Sequence, residues 1–322
     1  MSALQHNPRE GFLVGEMLAQ YGHELPGDAD EAMRQGYASF PAARKNPAKL
    51  ADRYVRKYLQ VRINAWRRNR IVDDSFTVQM LRKIDNERCP VSGVVLTHGT
   101  GEDTDWSVDR LDNNKGYILG NVVIVSSRVN HAKGALGPES IYPRALARKD
   151  CDGLTGDEWL RLGYLVNCTL MDAASEAAAL PLPFALEQTP VGLAWPFWAV
   201  FEVYLAYACI GYSATNREGL WNGITQSGAS RTAISAVHLR ECIAKAIRGN
   251  KAFRENPLEL FQDPEVWNAF SIFWPLYKKT KHCVKTILYC QDMLRDVCFA
   301  PGCVKKLNIQ RCREQEQALG YC

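Results

Sequence analysis

An α+β fold, mostly helical, is what this sequence of 322 residues predicts. Apolar residues recur every three to four positions over most of the chain, the spacing of one buried helical face. Short β-branched runs able to pair as strands gather around residues 106–125. Beyond residue 150 no strand alternation of any length appears, which predicts an all-α C-terminal domain. The expected order is a basic helical region over 1–85, a small strand-strand-helix module over 86–140, and a helical domain over 150–322 whose role and protein partner the sequence does not name. A chain of this length buries a core in each of two or three domains.

Residues 12–21 place Phe12, Leu13, Met17, Leu18 and Tyr21 near one helical face; Pro26 and Gly27 stop that helix, and the acidic stretch 28–31 opens a second. Residues 44–70 then turn basic. Arg44, Lys45, Lys49, Arg53, Arg56, Lys57, Arg62, Arg67, Arg68 and Arg70 stand against the single acid Asp52, while Leu50, Tyr54, Tyr58, Val61 and Ala65 keep helical spacing. Like charges along one helix repel, and a polyanion lying alongside relieves the repulsion. Phosphate contact by Arg53, Arg56, Lys57, Arg62, Arg67, Arg68 and Arg70 is therefore one expectation, and an ordinary solvated helix face is the other. Asp73, Asp74 and Ser75 offer a cap to a helix that turns Phe76, Met80, Leu81 and Ile84 inward. Residues 89–101 suggest a turn, a brief strand and a Gly-rich loop carrying His98.

In the central module, residues 106–109 and 122–125 suit two strands, 111–120 a turn rich in Asp, Asn and Gly, and 127–133 a helix. An ordinary hairpin and helix account for Gly116 and the valines. They give no reason for Asp109, Asn121, Asn130 and Lys133 to occur together. The ordered string C-P-V-S-G at 89–93, S-V-D-R-L-D at 107–112, G-Y-I-L-G-N at 116–121 and N-H-A-K at 130–133 resembles the ββα-metal finger of HNH (His-Me finger) endonucleases, in a branch common among phage proteins.

That resemblance implies metal-dependent hydrolysis of DNA, or of RNA, in the cytoplasm of a bacterial or phage-infected cell. It makes Asp109 and Asn130 the ligands of a divalent cation, Mg2+ first and Mn2+ second, and Asn121 the residue that fixes the loop. Lys133 would contact a phosphate or sit at the helix end. The chemistry suits such a site, because a hard cation accepts one carboxylate and one amide oxygen and keeps several waters, while a base prepares the attacking water. The sequence departs from the pattern after Asp109, where the family has a histidine base and this chain has Arg110. A guanidinium stays protonated, so Arg110 cannot take a proton, though it could clamp a phosphate oxygen. Three accounts stay open: His98 as base, Asp112 as base, or a site that binds metal and DNA without cutting. The last describes a nucleic-acid-binding or scaffold protein. His131 adjoins Asn130, but one helical step turns a side chain by ~100°, away from that face.

Gly137, Pro138 and Pro143 mark a boundary, and Thr155 with Glu158 starts a capped helix through about residue 179, broken by the prolines of 180–183. The apolar run 191–212 has the ~20 residues that span a bilayer. Glu202 near its middle and Pro196 favour a buried core helix instead, since a charge at bilayer depth costs about 2.5–3.5 kcal/mol on insertion scales. Further helices are expected at 231–248, 264–277 and 283–299, with Lys278, Lys279, Lys281 and His282 as a basic cluster that is either a second nucleic-acid contact or, more simply, a solvated helix end. The 47% hydrophobic and 23% charged fractions exclude wholesale disorder, and a net charge of +4 matters only where it clusters. With eleven cysteines and a polar opening, M-S-A-L-Q-H-N-P-R-E, free thiols in a reducing cytosol are expected. Of the cysteines Cys283, Cys290, Cys298, Cys303, Cys312 and Cys322, only Cys298 and Cys303 approach zinc-ligand spacing, which argues against structural Zn2+.

Overall fold

The structure is a computed structural model that describes residues 7–41, 52–169, 180, 197–226 and 228–283. It is α+β and mostly helical, with one two-stranded antiparallel sheet among the described residues. The chain divides into two compact units between Gly137 and Pro138, so the basic N-terminal region and the central module belong to one unit.

In the first unit, α1 (Pro8–Gln20) is capped by Asn7 and α2 (Glu31–Ser39) by Asp30, whose carboxylate accepts the Met33 N–H. The two helices touch backbone to backbone. A Cβ on Gly15 would overlap the Met33 carbonyl, and one on Gly36 the Phe12 carbonyl. Asp52 caps α3 (Arg53–Arg67), which buries Val55, Tyr58, Leu59, Val61, Ala65 and Trp66 along one stripe. The cap of α4 (Val78–Lys83) is Thr77 rather than Asp73, Asp74 or Ser75; the Asp73 carboxylate instead accepts the Ser75 N–H within its own turn.

Strands β1 (Trp106–Arg110) and β2 (Val122–Ser126) pair in the register Trp106 with Ser126, Val108 with Ile124 and Arg110 with Val122. Ser126 ends β2 and caps α5 (Ser127–Lys133). Successive side chains of a strand point to opposite faces. Ser107 and Asp109 meet α5, while Trp106 on the other face meets α3. Helices on both sides explain why every residue of β2 is buried. The brief strand expected within 89–101 is absent; only single bridges join Arg88 to Val95 and Thr97 to Asp105. Gly93, Gly99 and Gly101 have φ of 73°, 79° and 81°, which breaks extended backbone. The Asp105 carboxylate gathers the loop by accepting from the Thr97 and Thr100 hydroxyls and the Thr100 and Gly101 N–H groups, which hold it well below the usual carboxylate range.

The regular elements of the second unit among its described residues are helices: α6 (Pro138–Ala147), α7 (Gly156–Asn167), α8 (Phe197–Gly211), α9 (Ala214–Gln226), α10 (Ser230–Gly249), α11 (Ala252–Glu255), a 3-10 turn (Pro257–Gln262) and α12 (Pro264–Tyr277). Thr155 and Glu158 form the reciprocal capping box of α7. From Phe197 to Gly211 the apolar run is a core helix: Phe201 of α8 lies 5.0–6.4 Å from the rings of Phe270, Phe273, Trp274 and Tyr277, and Glu202 is fully buried beside it. No helix among the described residues is long and apolar enough to cross a membrane. Cys89, Cys151, Cys168, Cys209, Cys242 and Cys283 are free thiols. Arg44, Lys45, Lys49, the stretch 170–179, Pro181, Pro183, Pro196, the helix expected beyond Cys283, and Cys290, Cys298, Cys303, Cys312 and Cys322 lie outside the described residues.

Candidate functional site

Two side chains of α5, Asn130 and Lys133, bind it to β1. Spacing on a helix brings residues three apart onto one face, and spacing on a strand does the same for residues two apart. Asn130 therefore meets Ser107, its Nδ2 donating to Oγ at 2.9 Å, while Lys133 meets Asp109. The Lys133 ammonium is fully buried. Its Nζ lies 3.2 Å and 3.3 Å from the two Asp109 carboxylate oxygens, 2.7 Å from the Arg110 carbonyl and 3.5 Å from Asn113 Oδ1. Burial pushes the Asp109 carboxyl above its ordinary range; the Lys133 ammonium and the Arg110 N–H oppose that shift.

The loop between the strands is held from within. Asn121, 1% exposed, accepts the Asp112 N–H at 2.8 Å and donates to the Asp112 and Gly116 carbonyls at 3.0 Å each. Its side chain thus ties both ends of this turn, Asp112 and Gly116, to the start of β2. Arg110 Nη1 donates to the Asn113 and Lys115 carbonyls at 3.0 Å and 3.1 Å, and its guanidinium sits 5.2 Å from the Tyr117 ring centre. Burial and the nearby Arg70 lower the Arg110 pKa. Asn113 lies in the turn 111–120. It accepts on its carbonyl from Arg70 as well, and its Nδ2 donates to the Gly134 and Leu136 carbonyls, which aims Oδ1 at Lys133. Asp-Asn-Asn-Lys-Gly is common turn chemistry, so no sequence signal marked this role.

Neither candidate base joins Asp109. His98 stacks edge-on against Trp106, with ring centres 5.1 Å apart, and Trp106 points to the face of β1 opposite Asp109. Its imidazole is exposed, and its pKa is lowered by desolvation and by Arg53. Asp112 turns into its own loop, accepting the Asn114 N–H at 2.9 Å and lying 3.7 Å from Lys115 Nζ. His131 is exposed on α5.

The cations expected on phosphate separate into three kinds. Lys133 and Arg62 are buried, Arg62 bridging Glu10 and the Tyr58 hydroxyl. Arg53 pairs with Asp85, Lys57 donates to the Trp106 carbonyl, Arg67 grips both oxygens of Asp28, and Arg70 reaches Asn113. Arg56 and Arg68 are exposed, and their side chains have no hydrogen-bond or ion-pair partner among the described residues. Sequence also missed a cluster of cations and rings on this side. Arg53 and Lys57 lie 5.7 Å and 5.1 Å from the Trp106 ring centre, and Arg82 lies 4.6 Å from that of Tyr54 and pairs with Asp52. Only the spacing of Arg53 and Lys57 on one helical turn hinted at it.

No protein family, curated protein or solved structure matches the chain.

The residues at Asp109 do not fit a divalent cation while Lys133 is in place. An ammonium has three donors, and here three oxygen-bearing groups receive them. A metal at Asp109 would have to displace a fully buried lysine. Asn130, the other expected ligand, donates its Nδ2 to Ser107, a bond that does not engage the Oδ1 through which an amide would bind a cation. Among the described residues no group of three or more His, Cys, Asp or Glu side chains is arranged to hold a metal ion.

Proposed function

We propose that the first unit is a nucleic-acid-binding module of HNH type that grips phosphates and does not cut them. What carries it is the buried Asp109–Lys133 pair: the carboxylate that would recruit a metal already has a cation, with neither His98 nor Asp112 brought to it as a proton acceptor. Hydrolysis at neutral pH needs a positioned base or a metal-bound water; the reading is supported by the pairing of Asp109 with Lys133 and by the placement of His98 and Asp112 away from it. Support for a nucleic-acid partner comes from the ordered motif string and from Arg56 and Arg68, which stand in solvent beside a unit rich in further cations. Phosphate contacts of this kind release counterions, so binding weakens as salt rises.

The test is fluorescence anisotropy with single- and double-stranded oligonucleotides over a salt series, beside a plasmid-nicking assay in Mg2+, Mn2+ or chelator. Expected are salt-dependent binding unaffected by chelator, a shallower salt slope by about one per lost contact in R56A and R68A, and no nicking. Absence of salt-dependent binding refutes the nucleic-acid partner.

A second reading, a metal-dependent endonuclease, is favoured by one observation. Asp109 Oδ2 has the Lys133 ion pair at 3.2 Å but no aligned hydrogen bond, so a lone pair is left over. Nicking that chelator, Asp109→Ala and Asn130→Ala each abolish would establish it and overturn the first; His98→Ala and Asp112→Ala would then identify the base.

A further inference from the structure

We infer that Lys133 is the built-in cation of the strand-strand-helix element, and that the oxygen cage around its ammonium is a latent divalent-cation site, opened when the lysine side chain is removed. The inference does not depend on whether the unit binds nucleic acid.

The cage consists of the Asp109 carboxylate, the Arg110 carbonyl and Asn113 Oδ1, all within 2.7–3.5 Å of Nζ. It is rigid for reasons independent of the lysine. Asp109 and the Arg110 carbonyl belong to a strand whose partner is buried along its whole length. Asn113 is oriented by its two donations to Gly134 and Leu136, and its backbone carbonyl is held by Arg70 and Arg110. One negative charge faces one positive charge in a site closed to solvent. Removing either leaves a buried ion without its counter-charge, which a fold tolerates poorly.

A carboxylate, a main-chain carbonyl and an amide oxygen are also the donor types that hard divalent cations select, with water completing the shell. The lysine supplies charge through a covalent tether, so chelators cannot extract it. Truncation to alanine empties the space of the stem and ammonium and removes the cation that opposes burial at Asp109, so its carboxyl faces two neutral oxygens and takes up a proton unless another cation enters. A hydrated Mn2+ or Mg2+ then supplies both the missing charge and the bulk.

The experiment is hydrogen exchange of the full chain, read on amides of β1, β2 and α5, for wild type, K133A and K133A/D109N in chelator or in Mn2+. Wild type is expected to show equal protection in both. K133A loses protection in chelator and regains it in Mn2+, and K133A/D109N regains none. If K133A unfolds in chelator, refolding it in Mn2+ carries the same two outcomes. Wild-type protection that falls in chelator, or that rises in Mn2+ only while Asp109 is present, makes a metal the native cation and overturns the inference. So does a K133A protein as protected as wild type in chelator, or one indifferent to Mn2+.

Discussion

Replacing Asn121 by alanine removes one side chain that satisfies three backbone groups: the Asp112 N–H and the Asp112 and Gly116 carbonyls. A buried group stranded in this way costs about 1–3 kcal/mol, and water reaching the half-buried Asp112 end softens that part, so N121A is expected to lose about 3–5 kcal/mol. That is a large share of the ~5–15 kcal/mol that holds an ordinary domain together. Asn121→Asp is the sharper control. Its carboxylate still accepts the Asp112 N–H but turns its second oxygen against two carbonyls that need a donor. N121D should therefore be nearly as unstable at neutral pH and recover as pH falls, because a protonated acid donates again. In that variant the acid's folded pKa lies above its unfolded one, so stability grows toward acid and is lost as pH rises through the folded value. Urea unfolding followed by circular dichroism gives the stability, and hydrogen exchange localises the loss to the loop 111–120. A loss below about 0.5 kcal/mol for N121A, the usual scatter of surface substitutions, would refute the loop-holding role; so would an N121D protein as stable as wild type at neutral pH.

His98 should titrate below the ~6.5 of a free imidazole, since desolvation and Arg53 both disfavour its charged form. The fold then prefers neutral His98, so its contribution is present above the unfolded pKa and is lost as pH falls through the folded one; NMR titration should show R53Q raising the value, and an unmoved His98 would refute the coupling. Gly36→Ala should destabilise the first unit by about 1–3 kcal/mol or more, because the new methyl falls on the Phe12 carbonyl where α1 and α2 touch. Thermal unfolding unchanged by the substitution would show that the helices can part without cost.

Much of the fold was legible because its signals are local. Helix α5 begins and ends at the residues its sequence suggests, since Ser126 caps it and Gly134, with φ of 47°, closes it. The α7 capping box and the α12 start at Asp263-Pro264 are read from three or four adjacent residues. What was not legible is long-range. The basic helix looked like one cationic face, yet Asp28, Asp85 and Glu10 lie 39, 32 and 52 positions from the arginines they neutralise. No spacing rule within a helix anticipates such partners. His98 illustrates the same limit: the Gly-rich loop left its direction open, and only the packing against Trp106 decides which face of β1 it occupies.

Arg110 and Lys133 belong to one device, and together they explain why a cation follows Asp109 in this chain. Adjacent strand residues point to opposite faces, so Asp109 and Arg110 look away from each other while the loop 111–120 closes over the strand end. From one side the Arg110 guanidinium holds the Asn113 and Lys115 carbonyls; from the other, the Lys133 ammonium holds Asn113 Oδ1 and the Arg110 carbonyl. Asn113 is the residue both reach. An imidazole at position 110 is too short to span to two loop carbonyls, whereas a guanidinium presents several donors in a fixed fork. Arginine there is thus matched to the loop that it grips. The same loop placement brings Asn113 onto Lys133 and completes the ammonium's shell, so Arg110 and Lys133 together hold the loop 111–120 against the end of β1.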